Sequence, residues 1–173
     1  IICCTKHNVE LAGDGAVTGG TFSSNKNKDC ENDPVVLTAV AATGYDFTSW
    51  DATYTDAVPS TQHATFEDAT ANPGTMNMPA YSATVTPTFT PEVYTITYKD
   101  KSNMTFSGAH EEGYPETHTY NAATTLKGAT KTDYNFIGWY TDPDCTAGNE
   151  ISTIAANSIT ADITLYAKWV EES

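Results

Sequence analysis

At 173 residues the chain has room for one domain or two small ones, and 22 acidic against 8 basic residues leave a net charge of −14. All eight basic residues are Lys. Without Arg, the preferred reader of phosphate and base edges, an acidic chain suits neither nucleic acid nor an anionic membrane surface.

Thr, Tyr, Val and Ile dominate the patterned stretches, which favours strands over helices. Ile1-Ile2-Cys3-Cys4 reads as the stub of a removed leader or the end of a preceding domain, so the chain is expected to be part of a larger multi-domain protein. Gly13-Asp14-Gly15 and Gly19-Gly20 break the first segment, and Asn25–Asp29 is predicted to be an exposed polar loop. The apolar run Val35–Ala42 is predicted to be a central strand covered on both faces. Asp51–Asp56 and Ser152–Asn157 carry the best helical signals, a turn or so each. The stretches 51–74 and 99–118 read as irregular, polar and long, which is where binding sites usually sit.

Ala83, Val85, Pro87 and Phe89 alternate with Thr84, Thr86 and Thr88, the pattern of a half-buried strand. Pro87 has no N–H for a ladder, so this is expected to be an edge strand or to turn that nitrogen outward. Thr90-Pro91-Glu92 separates a closing strand from an opening one and divides the chain into 1–90 and 91–173. Beyond it, Tyr94, Ile96 and Tyr98 share a face. Residues 134–140 are apolar on both faces, which predicts a strand sandwiched between layers. Asp142-Pro143-Asp144 opens a turn, and Ile163, Leu165, Ala167 and Trp169 form one apolar face.

Tyr45-Asp46-Phe47-Thr48-Ser49-Trp50 and Tyr134-Asn135-Phe136-Ile137-Gly138-Trp139 both read Tyr-x-Phe-x-x-Trp, and each is followed by an alternating strand. A repeated phrase with a repeated ending implies two related modules. Their cores are expected to hold Leu37, Phe47, Trp50, Val85 and Phe89 in the first, and Ile96, Phe136, Trp139, Leu165 and Trp169 in the second. No segment of 18 apolar residues exists, so no membrane-inserted helix is expected.

Chemistry-bearing residues fall in no catalytic arrangement. His110-Glu111-Glu112-Gly113-Tyr114 begins like a zinc-protease motif but places Tyr where the second His belongs. Cys3, Cys4, His7 and Cys30 have suitable zinc-ligand types, but the usual spaced Cys pair is missing. Asp142, Asp144 and Glu150, or Asp46, Asp51 and Asp56, offer oxygen to Ca²⁺ without its loop pattern. A bridge from Cys30 to Cys3 or Cys4 competes with free thiols, and Cys145 is expected to be unpaired. No catalytic residue, cofactor or metal is therefore assigned, and no binding residue is singled out. Tyr54, Tyr81, Tyr114 and Tyr120 lie outside the strongest core patterns; loop packing is weighed there against stacking on sugars or anchoring of a protein.

The motifs carry a resemblance. Tyr94–Tyr98, Asn135–Asp142 and Ile163–Trp169, in that order, make residues 94–170 similar to a Listeria–Bacteroides repeat, also called an internalin B-repeat. Residues 8–90 resemble a divergent relative, through Gly15–Gly20, Leu37–Ala39, Gly44–Trp50 and Met76–Ala80. Ser102–Gly108 stands where the family's opening unit usually has a Gly-Gly turn, and an insertion around Asp51–Ala71 is atypical. The resemblance implies a mainly β chain of two tandem, small β-grasp-like modules with little helix, and no shared catalytic residues. It further implies a non-enzymatic, extracellular module pair of a bacterial surface protein, a spacer or stalk or an adhesion domain. The partner would be a host or cell-surface protein or glycan. The alternative is a carbohydrate-binding accessory module of a larger secreted glycan-degrading protein.

Overall fold

The computed structural model describes residues 3–58 and 60–173; Ile1 and Ile2, on which the leader reading partly falls, lie outside them. The chain divides into two compact units, Ile1–Thr90 and Pro91–Ser173. Unit 1 contains β1 (Lys6–Leu11), β2 (Ala16–Val17), β3 (Gly20–Ser24), β4 (Lys28–Cys30), β5 (Pro34–Ala41), β6 (Tyr45–Thr55), β7 (Thr61–His63), β8 (Gly74–Asn77) and β9 (Ala83–Pro91). Unit 2 contains β10 (Val93–Asp100), β11 (Met104–Thr105), β12 (Ala109–His110), β13 (Thr117–Thr119), β14 (Thr124–Thr125), β15 (Ala129–Thr130), β16 (Tyr134–Tyr140), β17 (Glu150–Ile151), β18 (Thr153–Ile154) and β19 (Ile163–Glu171). Both are mainly β, and the helical content of the described residues is two short 3₁₀ turns, Ala12–Gly15 and Lys101–Asn103.

One frame serves both units. The first strand runs parallel to the last: Val9 faces Ala83 in unit 1, and Ile96 faces Ile163 in unit 2. The strand with Tyr-x-Phe-x-x-Trp lies on the other side of that last strand, β6 beside β9 and β16 antiparallel to β19. A short antiparallel strand flanks the start of the first strand, β4 on β1 and β13 on β10. The start of each parallel ladder is capped in the same way. The Asn8 N–H donates to Ser82 Oγ (3.0 Å), and the Thr95 N–H donates to Asp162 Oδ1 (2.7 Å). In each case the acceptor immediately precedes the last strand and satisfies a backbone donor that the parallel ladder has not yet reached.

Unit 1 packs its sheet, in the order β4-β1-β9-β6-β7, with a second sheet, β2-β3-β5-β8. Their shared core holds Val9, Phe22, Val35, Leu37, Trp50, Met76, Met78 and Val85. The close approach has backbone consequences at Gly19-Gly20. A Cβ on Gly20 would lie 2.5 Å from both the Phe89 ring and the Val40 carbonyl oxygen, and Gly19 sits at φ 93°. Only glycine fits both positions without forcing the strand away. Val35–Ala41 is an inner strand as predicted, but it is covered on one face only. Val35, Leu37 and Ala39 point inward while Val40 is 62% exposed, so the apolar run hides an ordinary alternation. Asn25–Asp29 is not simply an exposed loop: Lys28–Cys30 pairs with β1, and Asp29 is buried and ion-paired with Lys26. The helical signal at Asp51–Asp56 is overturned, because β6 continues to Thr55; Thr153–Ile154 is likewise strand. β9 alternates as read, though it is an inner strand; Pro87 lies two residues beyond Val85, where pairing with β1 ends.

In unit 2 the buried centre is Ile96, Ala129, Trp139, Ile154, Leu165 and Ala167. The expected both-faced strand 134–140 is instead a strand with a bulge. The register on β19 shifts between Phe136 and Gly138, and the extra residue, Ile137, is half exposed. The bulge places Phe136 and Trp139 together, ring centroids 5.1 Å apart, where strict alternation would part them. Only Tyr140 meets the sandwich expectation: it is buried, with Lys168 over its ring. Of the ten expected core residues, Leu37, Trp50, Val85, Ile96, Trp139 and Leu165 are buried. Phe47, Phe89, Phe136 and Trp169 are partly buried and pack around them.

Candidate functional site

The stretches read as long loops contain short strands: β7 and the start of β8 within 51–74, β11, β12 and β13 within 99–118. In unit 1, β7 folds back on the end of β6, pairing Tyr54 with Gln62 and Thr53 with His63. His63 Nδ1 lies 2.8 Å from Asp51 Oδ1 on the exposed side. Tyr54 and Tyr81, from segments 27 residues apart, meet face to face with centroids 5.7 Å apart and planes 8° apart. The His7 ring lies near Tyr81, tilted by 38°, with centroids 6.4 Å apart. The Ala57 N–H donates to the Tyr81 hydroxyl (3.1 Å), which pins that ring. A small cleft of ≈ 220 Å³ opens beside the pair, bordered by Glu31, Asn32, His63, Asn77 and Met78 among others.

In unit 2, Asp100 organises the 99–118 surface. It accepts from the Trp169 indole N–H (2.8 Å) and from the Ser107 N–H (3.1 Å) and hydroxyl. Gly108 lies flat on Trp169, where an added Cβ would come within 2.7 Å of the ring. Lys131 stands over Tyr134 at 4.2 Å and reaches the Trp169 ring at 5.8 Å. His110 is stacked between Phe106 (4.3 Å) and Tyr114 (3.8 Å), so the residues resembling a zinc-protease motif form an aromatic stack. Tyr120 is half-buried, and its carbonyl accepts from the Asn157 N–H.

The weighed metal sets are not assembled. Cys4 and Cys30 form a disulfide, which removes two thiolates from the candidate zinc set and leaves Cys3 exposed and free. Asp142 is already engaged by the Thr146 hydroxyl (2.7 Å), which chiefly holds its carboxyl below the usual range, and by Asn149 (3.1 Å). Glu150 accepts from the Gly148 N–H. Asp51 is turned to His63, and Asp56 accepts from the Ser60 hydroxyl. Among the described residues the one cluster of metal-ligand types is Asp29, Cys30 and Asp33, and its sulfur is in the disulfide. Cys145 is buried and unpaired as expected, and burial raises its thiol pKa.

A pair of buried polar residues went unnoticed in the sequence. Two positions before each parallel ladder begins, His7 faces Asp29 in unit 1 and Tyr94 faces His118 in unit 2. Asp29 is satisfied by Lys26 and by the Cys30 N–H. His118 is fully buried; its Nδ1 meets the Thr124 hydroxyl (2.8 Å), while Nε2 has no partner among the described residues. Protonation would place a charge and an unmatched N–H in that site, and desolvation lowers the pKa of His118 below its ordinary 6.5. The unfolded chain then takes up the proton first as pH falls. The stabilisation is complete above about 6.5 and is lost as pH drops through the folded-state value. Unit 2 is expected to melt at lower temperature at pH 5 than at pH 7.5, with His118→Gln flattening that slope. His110, also lowered chiefly by desolvation, adds to the slope. A slope unchanged in His118→Gln would show that this histidine is not the group responsible.

The fold therefore defines tandem β modules on one repeated frame, with no α-helix among the described residues long and apolar enough to span a membrane. Residues 94–168 match the Listeria-Bacteroides repeat domain and residues 11–93 the divergent InlB B-repeat domain, so the chain is a tandem of these two repeat types. Repeat domains of this kind occur in bacterial surface proteins and are typically non-catalytic. No curated protein and no solved structure matches the chain.

Proposed function

We propose that the two repeats are a non-catalytic interaction module of an extracellular bacterial surface protein, one that engages a host or cell-surface macromolecule through loop faces. The observation that carries this is the contrast between frame and surface. Both units keep the same parallel first–last pair and the same cap, yet they present different side chains beyond the Trp strand. In unit 1 that region shows a stacked tyrosine pair beside a cleft. In unit 2 the turn after β16 is closed upon itself by Asp142. A shared frame with divergent rims suits binding, since loops are where recognition is varied at least cost to folding. The disulfide supports an oxidising compartment.

The test is binding of the two-unit protein to protein and glycan arrays, with surface variants Tyr54→Leu in unit 1 and Tyr114→Ala in unit 2. Specific binding weakened by either variant is the expected result. Binding indifferent to both would move the contact off these faces, and no binding on either array would leave only a spacer. Turnover of any polysaccharide or peptide would overturn the non-catalytic reading.

A further inference from the structure

We propose that the cleft beside Tyr54 and Tyr81 is a carbohydrate site that takes one uncharged sugar ring. The proposal rests on the interaction reading of unit 1 and names its ligand class. Three features of the cleft converge on a sugar.

The first is the platform. A sugar ring is apolar on its C–H faces and polar around its rim, so it needs a flat aromatic surface below and mixed donors and acceptors beside it. Tyr54 stacks on Tyr81, parallel to within 8° and both half-buried, so one ring backs the other and the outward face of Tyr54 is the platform. The stack is held in place: the Tyr81 hydroxyl accepts from the Ala57 N–H, and the His7 ring packs near Tyr81. A platform fixed before binding loses little side-chain entropy when a ligand arrives. Tyr54 also brings a hydroxyl with no hydrogen-bond partner among the described residues.

The second is the rim. Asn32 and Asn77 each carry a donor and an acceptor, Glu31 carries an acceptor, and His63, whose Nδ1 is turned to Asp51, keeps Nε2. Such a set suits hydroxyl groups, which both give and take hydrogen bonds. No Lys borders the cleft, Glu31 does, and the chain as a whole is at −14. A sialic or uronic acid would meet like charge there, so the sugar is uncharged.

The third is size. At ≈ 220 Å³ the cleft falls below the ~300–1,000 Å³ of sites that enclose drug-sized molecules. It accepts a single ring at the end or edge of a glycan. A proline-rich peptide also stacks on aromatic residues, but it needs an extended groove for successive turns.

The experiment uses the two-unit protein on an array of uncharged, sialylated and uronic-acid glycans. It is paired with an NMR titration of uncharged methyl glycosides that follows the Tyr54 and Tyr81 ring signals. Two variants separate recognition from folding. Tyr54→Leu keeps apolar bulk and removes the flat ring. Asn32→Gly removes the amide at a position whose φ of 66° glycine adopts freely. The expected result is binding of uncharged glycans, shifts confined to the tyrosine pair, and at least a tenfold loss in both variants with unit 1 melting as the parent does. Tyr54→Phe, which keeps the ring, should retain most of the affinity. Preference for acidic glycans, or equal affinity in Tyr54→Leu, would overturn the proposal. Capture of a proline-rich peptide or another protein without any glycan would overturn it too, while leaving the interaction reading standing. Binding to neither class would end both.

Discussion

Trp139→Ala is expected to unfold unit 2 and leave unit 1 folded. Trp139 is 3% exposed at the centre of the smaller core. Tyr98 (4.7 Å), Phe136 (5.1 Å) and Phe106 (5.6 Å) pack their rings around it. Its indole N–H donates to the Lys127 carbonyl (2.6 Å), tying β16 to the segment before β15. Truncating a buried Trp costs about 3–5 kcal/mol, and stranding that carbonyl adds about 1–3 kcal/mol if water does not reach it. A domain of this size is stable by only about 4–12 kcal/mol, at 0.05–0.15 kcal/mol per residue. The loss therefore takes most or all of the margin. Amide hydrogen exchange resolves the outcome by unit: protection should vanish across β10, β16 and β19 and persist across β1, β5 and β9. Trp139→Phe, which keeps an aromatic ring but not the donor, should fall between. Full protection of β19 in Trp139→Ala would mean that the core is organised around other residues.

How much of this was readable depends on whether the information is local. Strands 83–89, 94–98 and 163–169 were legible because each has one wet face and one dry face, and a period of two survives any detail of packing. Val35–Ala41 misled because alanines and valines are tolerated on an exposed face. The run looks doubly covered although Val40 is in solvent. The bulge at Ile137 is invisible to periodicity, since one inserted residue moves every later side chain to the other face. Asp51–Asp56 looked helical in isolation, but pairing of Thr53–Thr55 with Thr61–His63 overrode that weak preference.

The candidate site was visible only as parts. Tyr54 and Tyr81 stood out as aromatics outside the core pattern, but nothing in the sequence joins them. Their stacking depends on the end of β6 lying beside the start of its neighbour β9. His118 carried even less signal, because a histidine between threonines reads as exposed until β13 is laid against β10. The duplicated phrase marked the frame, yet the parallel pairing of first and last strands is a long-range fact. A parallel ladder needs a crossover, and here the whole intervening unit supplies it.

Cys30→Ser is expected to destabilise unit 1 by about 2–4 kcal/mol, the usual range for losing a native disulfide. The bridge joins Cys4, which precedes β1, to Cys30, the partner of Lys6 at the end of β4. It closes a loop across the segment that contains β1, β2, β3 and β4, and so restricts the unfolded chain where β1 must find its place. That restriction matters because β1 holds β9 through only three paired residues, Val9 to Leu11. At about 4–8 °C per kcal/mol for a domain of this size, the unit 1 transition should fall by roughly 10 °C or more. Reduction by dithiothreitol should reproduce the shift in the parent and do nothing further to the variant. Unit 2 should be indifferent, since its one cysteine, Cys145, is buried and unpaired. Cys4→Ser provides the sharper comparison. Cys3 is exposed, free and adjacent, so in that variant it is available to take Cys4's place opposite Cys30. A smaller loss in Cys4→Ser than in Cys30→Ser, with a Cys3–Cys30 peptide in the non-reduced digest, is the expected pattern. A parent that melts identically with and without reductant would show that the bridge contributes nothing to unit 1.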